Sequence, residues 1–196
     1  MLVKPDPDRR RRSQRERTET TRAGLVRAAR TLFAAHGYHG VSAERIVGLA
    51  GVTSGALYHH FRDKRALFLA AFEEVEAEVA ERVRRAAAAG RTPWSRLERG
   101  VKEYLAACTD PDVRRLVLVD GPSVLGWEVW READARYHLR ALAAALASAM
   151  RAGLISRRPP LPLARILLGA LTEAGLSAGG SSDSAVLWLL GRMRDG

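Results

Sequence analysis

Several side chains within residues 58–64 can donate hydrogen bonds to an anion, among them Tyr58, His59, His60 and Lys64. A phenol hydroxyl, an imidazole and an ammonium group can each donate to phosphate oxygens, and such contacts position a protein on duplex DNA. The two histidines are adjacent and point to different faces of a helix, whereas a metal-binding pair is usually three or four residues apart. The cluster therefore favours a polyanionic partner over a metal ion.

The cluster belongs to a pair of short helices joined by a glycine turn. Ser42 and Thr53 occupy N-cap positions, since each follows a valine and precedes, by four residues, an apolar residue that can pack against that valine. Gly51 lies between the two caps and can adopt the left-handed backbone that ends a helix. The spacing predicts one helix from Ala43 and a second directly after Thr53, which is the pattern of a helix-turn-helix.

The second helix is predicted to bury Leu57 and Phe61, which lie four residues apart, and to turn its other side chains outward. A glycine at position 55 would let its backbone approach DNA closely, and its free N-terminal amides can donate to phosphate. The predicted DNA-binding residues are Ser42, Thr53, Ser54, Gly55, Tyr58, His59, His60 and Lys64.

The surrounding residues resemble a known family. The run from about Thr21 to Phe72, which includes Y-x-H-F-x-x-K-x-x-L, is similar to the DNA-binding domain of the TetR family of bacterial transcriptional regulators. The matching residues are Phe33, Gly37, Val41, Ser42, Ile46, Ala50, Gly51, Val52, Gly55, Leu57, Tyr58, His60, Phe61, Lys64 and Leu67.

The resemblance covers roughly the first third of the chain. It implies an all-helical homodimeric regulator, a repressor that binds a palindromic double-stranded operator and is released by a small-molecule effector. It also implies that Tyr58, His60 and Lys64 hold phosphates, while Ser54, Gly55 and His59 lie nearer the base edges.

The charge distribution agrees with a nucleic-acid partner. The 196 residues carry a formal net charge of +10, and residues 1–64 hold thirteen of the 32 Lys and Arg but only six of the 22 Asp and Glu. Residues 1–19 include the run Arg9–Arg12 and are predicted to be a disordered basic arm that could follow the phosphate backbone or enter the minor groove.

The sequence gives no sign of export or of a membrane partner. No apolar block follows the arginine run, and no apolar run approaches the ~20 residues of a membrane helix. The single cysteine, Cys108, fits a reducing compartment. We therefore expect a cytoplasmic protein.

The rest of the chain also has a helical pattern, so the predicted fold class is all-α. Asp63 is a predicted cap for a long helix from Lys64 to about Ala89, whose segment FEEVEAEVAERVRR is expected to present a charged, exposed face. Proline, glycine and cap signals predict further helices at Pro93–Cys108, Pro111 to about Val119, Pro122–Ala152 with a break near Gly126, Pro162 to about Ala178 and Asp183 to about Met193.

These signals predict two domains after the arm. Residues 20–66 would form a three-helix DNA-binding domain around the helix-turn-helix, and residues 67–196 a helical domain for effector binding and dimerisation. The extended linker RRPPLP, at Arg157–Pro162, would interrupt the second of these.

Aromatic residues in the second domain are candidates for an effector pocket. At helical spacing such residues are more often part of a core, and a lone buried cysteine is more often a small core residue. Several of them nevertheless lie beside ionisable residues such as Glu128 and Arg131, which suits an apolar cavity with a few polar groups. The predicted pocket residues are Trp94, Tyr104, Cys108, Trp127, Trp130 and Tyr137.

The two C-terminal helices carry apolar stripes wide enough to pack inward and still leave an apolar face for a partner. Small residues among them would allow helices to approach closely, which predicts a four-helix interface around a dyad. The dyad would hold two reading helices about 34 Å apart on a palindrome. The predicted interface residues are Leu167, Ala170, Leu171, Ala174, Val186, Leu187 and Leu190. The alternative is that these stripes close the core of a single chain.

An enzyme fits the sequence poorly. No nucleophile elbow, phosphate-binding loop or dinucleotide fingerprint is present, so no catalytic residue, cofactor or metal site is predicted. An architectural DNA-binding protein without an effector is the remaining alternative, although the helical bulk after residue 66 exceeds what DNA positioning requires.

Overall fold

In a computed structural model, the backbone is described over residues 7–177 and 180–195, and side chains over residues 16–177 and 180–194. Every regular element in these ranges is helical, which confirms the all-α class. The elements are α1 Pro7–His36, α2 Ala43–Ala50, α3 Ser54–His60, α4 Lys64–Ala88, α5 Pro93–Cys108, α6 Pro111–Val113, a π-helical segment Arg114–Asp120, α7 Gly121–Leu125, α8 Trp127–Arg151, α9 Pro160–Leu176 and α10 Ser181–Asp195.

The chain divides into a first unit, Met1–Ala71, and a second unit, Phe72–Gly196. The division falls within α4, as does the predicted one between residues 66 and 67. None of the helices in the described ranges has the length and apolar character needed to cross a membrane.

The first unit is built on a core of aromatic and aliphatic side chains from α1, α2, α3 and the start of α4. Phe33, Ile46, Leu57 and Phe68 have no exposed surface, and the rings of Phe33 and Phe68 meet edge to face with centroids 5.4 Å apart. Leu57 therefore anchors α3 as its spacing predicts, and the opposite side of α3 is left to solvent.

Helix α1 begins at Pro7, well before the expected start at Thr20 or Thr21. Residues 8–19 contain arginine, glutamine and glutamate, which favour helices, and neither glycine nor proline. Proline itself suits the first helical position. The expectation of a disordered arm over residues 1–19 is therefore wrong from Pro7 onward, and residues 1–6 lie outside the described part of the chain.

The predicted caps of α2, α3 and α4 are confirmed. Side-chain oxygens of Ser42, Thr53 and Asp63 each accept a hydrogen bond from the backbone amide three residues later, at 3.3, 3.2 and 2.7 Å. Gly51 ends α2 with φ of +67°, a value that disfavours any residue with a Cβ. These contacts are all local, so they hold the two helices of the helix-turn-helix in the predicted register.

In the second unit α5, α8 and α9 pack against one another. Gly175 of α9 lies so close to α5 that an added Cβ would come within 2.9 Å of the side chains of Cys108 and Leu118. The guanidinium of Arg114 donates to the Gly175 carbonyl oxygen at 2.7 Å. Cys108 is thus a packing residue at a tight helix crossing.

The segment between α5 and α8 differs from the expected helices. Residues 114–120 form a π-helical segment, and three consecutive side chains within it, Leu116, Val117 and Leu118, are buried. The indole nitrogen of Trp130 donates to the Val117 carbonyl oxygen at 2.8 Å, which helps to hold this wider turn. The predicted break at Gly126 is confirmed, since its φ is +79°.

The last two helices begin slightly earlier than expected. Helix α9 begins at Pro160 rather than Pro162, and α10 at Ser181 rather than Asp183. Prolines at the first positions of a helix lose no hydrogen bond, so the Pro-rich linker extends into α9. The predicted end of α9 at about Ala178 lies outside the described residues.

Candidate nucleic-acid interface and ligand region

The solvent side of α3 carries most of the predicted DNA-binding residues. Ser54, Gly55, Tyr58 and His59 are exposed, and Tyr58 keeps 56% of its surface accessible. Leu57 on the opposite side is fully buried, so the orientation of this face is determined by the core. The helix therefore presents a hydroxyl, a phenol and an imidazole around a position without a side chain.

Gly55 is not required by the protein's own packing. A Cβ built at this position would meet only the Thr53 hydroxyl oxygen, at 3.8 Å, which is ordinary contact distance. The open space in front of Gly55 lies on the exposed face of α3. Gly55 would thus be needed only if another molecule approaches this backbone closely.

Ser42 and Thr53 are exposed, but their hydroxyl oxygens are already used as caps. Each hydroxyl accepts a backbone hydrogen bond and retains its own proton, which it can donate to a phosphate. Thr53 therefore lies at a helix N-terminus with its proton still able to donate, whereas the Ser42 hydroxyl also donates to the Glu44 carboxylate and would have to exchange that bond for one to a phosphate.

His60 is half-buried and its ring lies 5.2 Å from that of His59. Burial, together with the nearby charges of His59 and Arg22, lowers the pKa of His60 below its ordinary value. The imidazole is then neutral at neutral pH and donates through one ring nitrogen only. The guanidinium of Arg22 lies 5.2 Å from the centre of the Phe61 ring, beside this histidine.

The ammonium group of Lys64 also forms hydrogen bonds within the protein. It donates to the carbonyl oxygens of Tyr38 and Val41, at 3.0 and 2.8 Å, and lies 4.1 Å from the centre of the Tyr38 ring. Burial lowers the pKa of Lys64. Two of its three N–H donors therefore tie the start of α4 to the loop after α1. The third N–H donor can still donate to a phosphate, so the predicted DNA contact of Lys64 stays a prediction, and its role as a structural clamp is added to it.

The predicted effector pocket is not one pocket. A cavity of about 200 Å³ lies among α4, α5, α8 and α9, and of the six predicted residues only Tyr104 and Tyr137 line it. Trp127 and Trp130 instead line a groove of about 600 Å³ between α8 and α9, and Trp94 lies beside α10 at a third depression. The prediction is corrected because aromatic content alone does not show which face of each helix points inward.

Cys108 lines none of these spaces. It is buried, and burial together with nearby carboxylates, first among them Glu76, raises the pKa of its thiol to about 12. A thiol that stays protonated is a poor nucleophile. The interpretation of Cys108 as a small core residue is confirmed, and its place in the predicted pocket is wrong.

The second unit contains a buried polar cluster that the sequence analysis missed. Glu76 of α4 and Asp134 and His138 of α8 are 1%, 5% and 6% exposed. The His138 Nε2 and Glu76 Oε2 atoms are 2.6 Å apart, and one ligand atom from each of the three residues lies within 4.8 Å of the others. We refer to these three residues as the buried triad.

One signal in the sequence could have revealed the buried triad. Glu76 lies four residues after Phe72 and three before Val79, so it occupies the apolar stripe of α4 rather than the exposed charged face assigned to it. Its partners follow about 60 residues later in the chain, and no local spacing connects them. The expectation that the whole charged segment of α4 is exposed is therefore wrong at Glu76.

Burial and the neighbouring Glu76 carboxylate shift the pKa values of the other members of the buried triad. Burial and the neighbouring Glu76 charge raise the pKa of Asp134 to about 7. Burial alone would lower the pKa of His138, but the hydrogen bond and charge of Glu76 outweigh it and raise that pKa above its ordinary value. The pKa of Tyr104, whose ring lies 5.2 Å from that of His138, is raised well above 10.0 by burial.

Most of the predicted dimer-interface residues are buried within the single chain. Leu167, Leu171, Ala174, Val186 and Leu190 are at most 7% exposed, so they close the core of the second unit. Ala170 and Leu187 are half-buried. The predicted interface is corrected: the apolar stripes of α9 and α10 that were assigned to the dimer interface pack into the core of the single chain.

Both α9 and α10 have large apolar side chains that are exposed in the single chain. Ile166 is 72% exposed, Trp188 64% and Leu189 51%. Gly169, one turn from Ile166, is exposed as well, and an added Cβ there would meet nothing within 4 Å. We call Ile166, Gly169, Trp188 and Leu189 the exposed apolar face.

Two family profiles match the chain. Residues 25–71 match a profile described as bacterial regulatory proteins, tetR family. Residues 94–187 match one described as tetracyclin repressor-like, C-terminal domain. The first match contains α2 and α3, and the second contains the buried carboxylate and histidine of α8.

Several known proteins are similar. The chain is 30% identical over 128 residues to the transposon Tn10 TetC protein of Escherichia coli. This alignment covers 63% of this chain and 62% of TetC. It is 43% identical over 63 residues to the HTH-type transcriptional repressor AcnR of Corynebacterium efficiens. This alignment covers 32% of this chain and 34% of AcnR. These alignments span less than two thirds of the relatives' own lengths.

A solved structure is similar over most of its length. The crystal structure of a TetR-family transcriptional regulator from Pectobacterium atrosepticum shares 31% identity with this chain and superimposes with a TM-score of 0.75. The match covers 90% of this chain and 91% of that one. The similarity thus extends through both helical units.

Proposed function

Because the chain belongs to the TetR family of bacterial transcriptional regulators, we propose that it acts as a repressor in the cytoplasm. In this proposal a homodimer binds a palindromic operator through α3, and a small molecule bound in the second unit releases it.

The exposed face of α3 is the observation that carries the DNA-binding role. Ser54, Tyr58 and His59 point to solvent around Gly55, where the protein leaves open space that its own packing does not use. Short side chains at positions 54 and 56 leave few groups for direct readout of bases. DNA shape and the arginine-rich start of α1 are therefore expected to add to specificity.

The exposed apolar face of α9 and α10 supports the dimer. A tryptophan, an isoleucine and a leucine on these two helices leave apolar area in contact with water unless a partner covers them. Gly169 would let the same helix of a second copy approach closely. In a dimer with its two-fold axis at this face, each subunit would place its α3 on one operator half-site. Two weak α3–DNA contacts then combine into a higher affinity.

The apolar cavity supports effector binding. Its walls are mostly aliphatic, and its polar lining residues are Tyr104, Tyr137, His138, Arg84 and Arg96. Its volume of about 200 Å³ suits a small, mostly apolar molecule that carries one or two hydrogen-bonding groups. The cavity favours this function over the alternative of a DNA-binding scaffold without an effector.

In this proposal, helix α4 couples ligand binding to DNA binding. It begins with Lys64, which clamps the loop after α1, and its later residues Ala80, Val83 and Ala87 line the cavity. A ligand that displaces α4 would move the clamp and so change the position of α3. We expect a coupling free energy on the order of 1–3 kcal/mol between ligand and DNA.

Selection of bound duplexes from a random pool, followed by fluorescence anisotropy at several salt concentrations, tests the DNA-binding part. We expect an inverted repeat, a complex with two chains and a steep fall in affinity with salt. Removing the Tyr58 hydroxyl with Tyr58→Phe should weaken binding about tenfold, because each of two subunits loses one phosphate hydrogen bond. Tyr137→Phe, in the second unit, serves as the control. Failure to enrich any sequence would reject the proposal.

The effector part is tested with a matched pair of alanine variants. Ala145 lines the cavity, whereas its neighbour Ala144 is exposed and does not. A small-molecule screen by thermal shift should yield compounds that stabilise the protein and release the operator. Ala145→Leu should abolish both effects and keep operator affinity, and Ala144→Leu should change neither. Compounds that act equally on both variants would place the effector elsewhere.

A further inference from the structure

The buried triad contains an oxygen atom that the protein leaves without a partner. Glu76 is 1% exposed, and its Oε1 atom accepts no hydrogen bond from any described residue. Leaving a carboxylate oxygen unpaired inside a protein costs free energy, since water no longer solvates it. The second oxygen, Oε2, is 2.6 Å from His138 Nε2. Half of this buried carboxylate is therefore available to a ligand.

The other two members of the triad are placed around the same point. Asp134 and His138 lie one turn apart on α8, and one donor atom from each lies within 4.8 Å of a Glu76 oxygen and of the other. When both carboxyl groups are ionised and the histidine is protonated, the three side chains carry a net charge of −1. Among the described residues, no arginine or lysine side chain forms an ion pair with Glu76 or Asp134, and Arg131 acts on Asp134 only through its nearby charge. A divalent cation that displaces the proton of Asp134 would therefore meet two carboxylates without a bonded counter-ion.

The donor types select the class of cation. Imidazole with two carboxylates is a nitrogen and oxygen set that suits borderline divalent ions such as Zn²⁺, Co²⁺ or Mn²⁺. Mg²⁺ and Ca²⁺ prefer oxygen donors alone and are less suited to a site with a histidine. We propose that Glu76, Asp134 and His138 bind one divalent transition-metal ion, which joins α4 to α8 inside the second unit.

The ligand atoms must move to admit the ion. The three atoms now lie within 4.8 Å of one another, so Asp134 must approach the other two ligands while these separate. Two ligands at about 2.0–2.1 Å from a tetrahedral ion lie about 3.4 Å apart, so the His138 and Glu76 atoms, now at 2.6 Å, must separate by roughly 0.8 Å. The ion replaces the proton that these two atoms share. Glu76 Oε1, which has no partner, can take part as a second oxygen ligand.

Two spaces give access to the triad. His138 lines the apolar cavity of about 200 Å³, and Asp134 lines the groove between α8 and α9. The cavity thus places an open coordination position where a bound small molecule could supply a further ligand. Tyr104 lies beside His138 with ring centroids 5.2 Å apart, where it limits how far the imidazole can turn.

The site connects elements that are distant in sequence. Glu76 and His138 are 62 residues apart, so an ion bound to both would restrain α4 against α8. Since an ion that binds only the folded chain stabilises it by mass action, metal should raise the melting temperature of the second unit. This consequence is independent of DNA binding, so its failure would leave the proposed repressor function untouched.

Titration of Co²⁺ into the full chain tests the proposal, with any affinity tag removed and bound metal first stripped by a chelator. Isothermal calorimetry and the visible absorption of Co²⁺ should both show one ion per chain at micromolar or lower concentration, with band intensities of a four- or five-coordinate ion. Glu76→Gln and Asp134→Asn preserve side-chain shape, and each should weaken binding at least about tenfold.

Glu73→Gln is the matched control. Glu73 lies on the same helix one turn earlier and pairs with Arg136 at the surface, so its variant should bind Co²⁺ within twofold of the unchanged chain. Circular dichroism confirms that each variant is folded, and if one is not, the other carries the test. Absence of binding at 100-fold excess metal, or equal binding by Glu76→Gln, Asp134→Asn and Glu73→Gln, overturns the proposal. The triad would then be a proton-sharing cluster only.

Discussion

In the first unit the polar side chains of α3 face solvent. In the second unit, by contrast, two carboxylates and a histidine are buried between helices. Among the described residues, the buried polar side chains are Glu76, Asp134, His138 and Thr172, all of which belong to the second unit. A surface of exposed donors suits a large partner that arrives from outside. An enclosed polar group beside a cavity suits a small ligand that the protein surrounds.

The two units also depend on contacts of different range. The helix-turn-helix is held mainly by caps that join residues three apart, and the clamp of Lys64 on the loop after α1 spans 23 and 26 residues. The second unit is held by contacts such as that between Arg114 and Gly175, which are 61 residues apart. Substitutions should therefore act locally in the first unit and across several helices in the second.

The largest effect is expected from a charge placed on the inward side of α9. Leu171 is 2% exposed, and Leu171→Asp should destabilise the second unit by more than about 3 kcal/mol, because an unpaired carboxylate replaces an apolar side chain in the core. Urea denaturation followed by circular dichroism measures this loss.

Ile166→Glu is the matched variant on the outward side of the same helix. Because Ile166 is 72% exposed, the change should cost the single chain less than about 0.5 kcal/mol and still convert dimer to monomer in sedimentation experiments. If Leu171→Asp were folded and monomeric while Ile166→Glu remained dimeric, the assignment of inward and outward faces would be reversed.

A smaller effect is expected at the clamp in the first unit. Lys64→Met removes two hydrogen bonds to loop carbonyls and should destabilise the first unit by about 1–3 kcal/mol. Arg62→Met removes an exposed ion pair with Asp63 and should change stability little. Hydrogen exchange of the amides in residues 37–42 should rise in the first variant only. Equal exchange in both variants would show that Lys64 does not hold this loop.

The smallest effect is expected at the α3 cap. Thr53→Ala removes the acceptor of the Ala56 amide and should destabilise the first unit by about 1 kcal/mol. Ser54→Ala changes an adjacent exposed residue that caps nothing and provides the comparison. A larger loss in Ser54→Ala than in Thr53→Ala would show that the cap does not position α3.

The sequence predicted the first unit well because its signals are local. The caps at Ser42, Thr53 and Asp63 and the turn at Gly51 each depend on a few neighbouring residues, and all four are confirmed. The start of α1 was misplaced, because a charged run without glycine or proline can continue a helix. The clamp formed by Lys64 was not predicted, because the carbonyls that it contacts lie 26 and 23 residues earlier in the chain.

The second unit shows where such reasoning ends. The helices were predicted, but their inward faces were not, since α9 has apolar residues on more than one side. The π-helical segment at Arg114–Asp120 has no local signal, and the buried triad joins residues 62 apart. These features depend on how the helices pack, which hydrophobic spacing alone does not specify.

The most direct test of the account is the operator affinity of Gly55→Leu. The added side chain fits the free protein, which offers open space at this position, and leucine favours a helix over glycine, so folding stability should be equal or higher. In the complex the same side chain would occupy the space between α3 and DNA. The account predicts an affinity loss of about 100-fold or more by fluorescence anisotropy, with no loss for Ala144→Leu in the second unit. Binding of Gly55→Leu within twofold of the unchanged protein would contradict the claim that this face of α3 reads DNA.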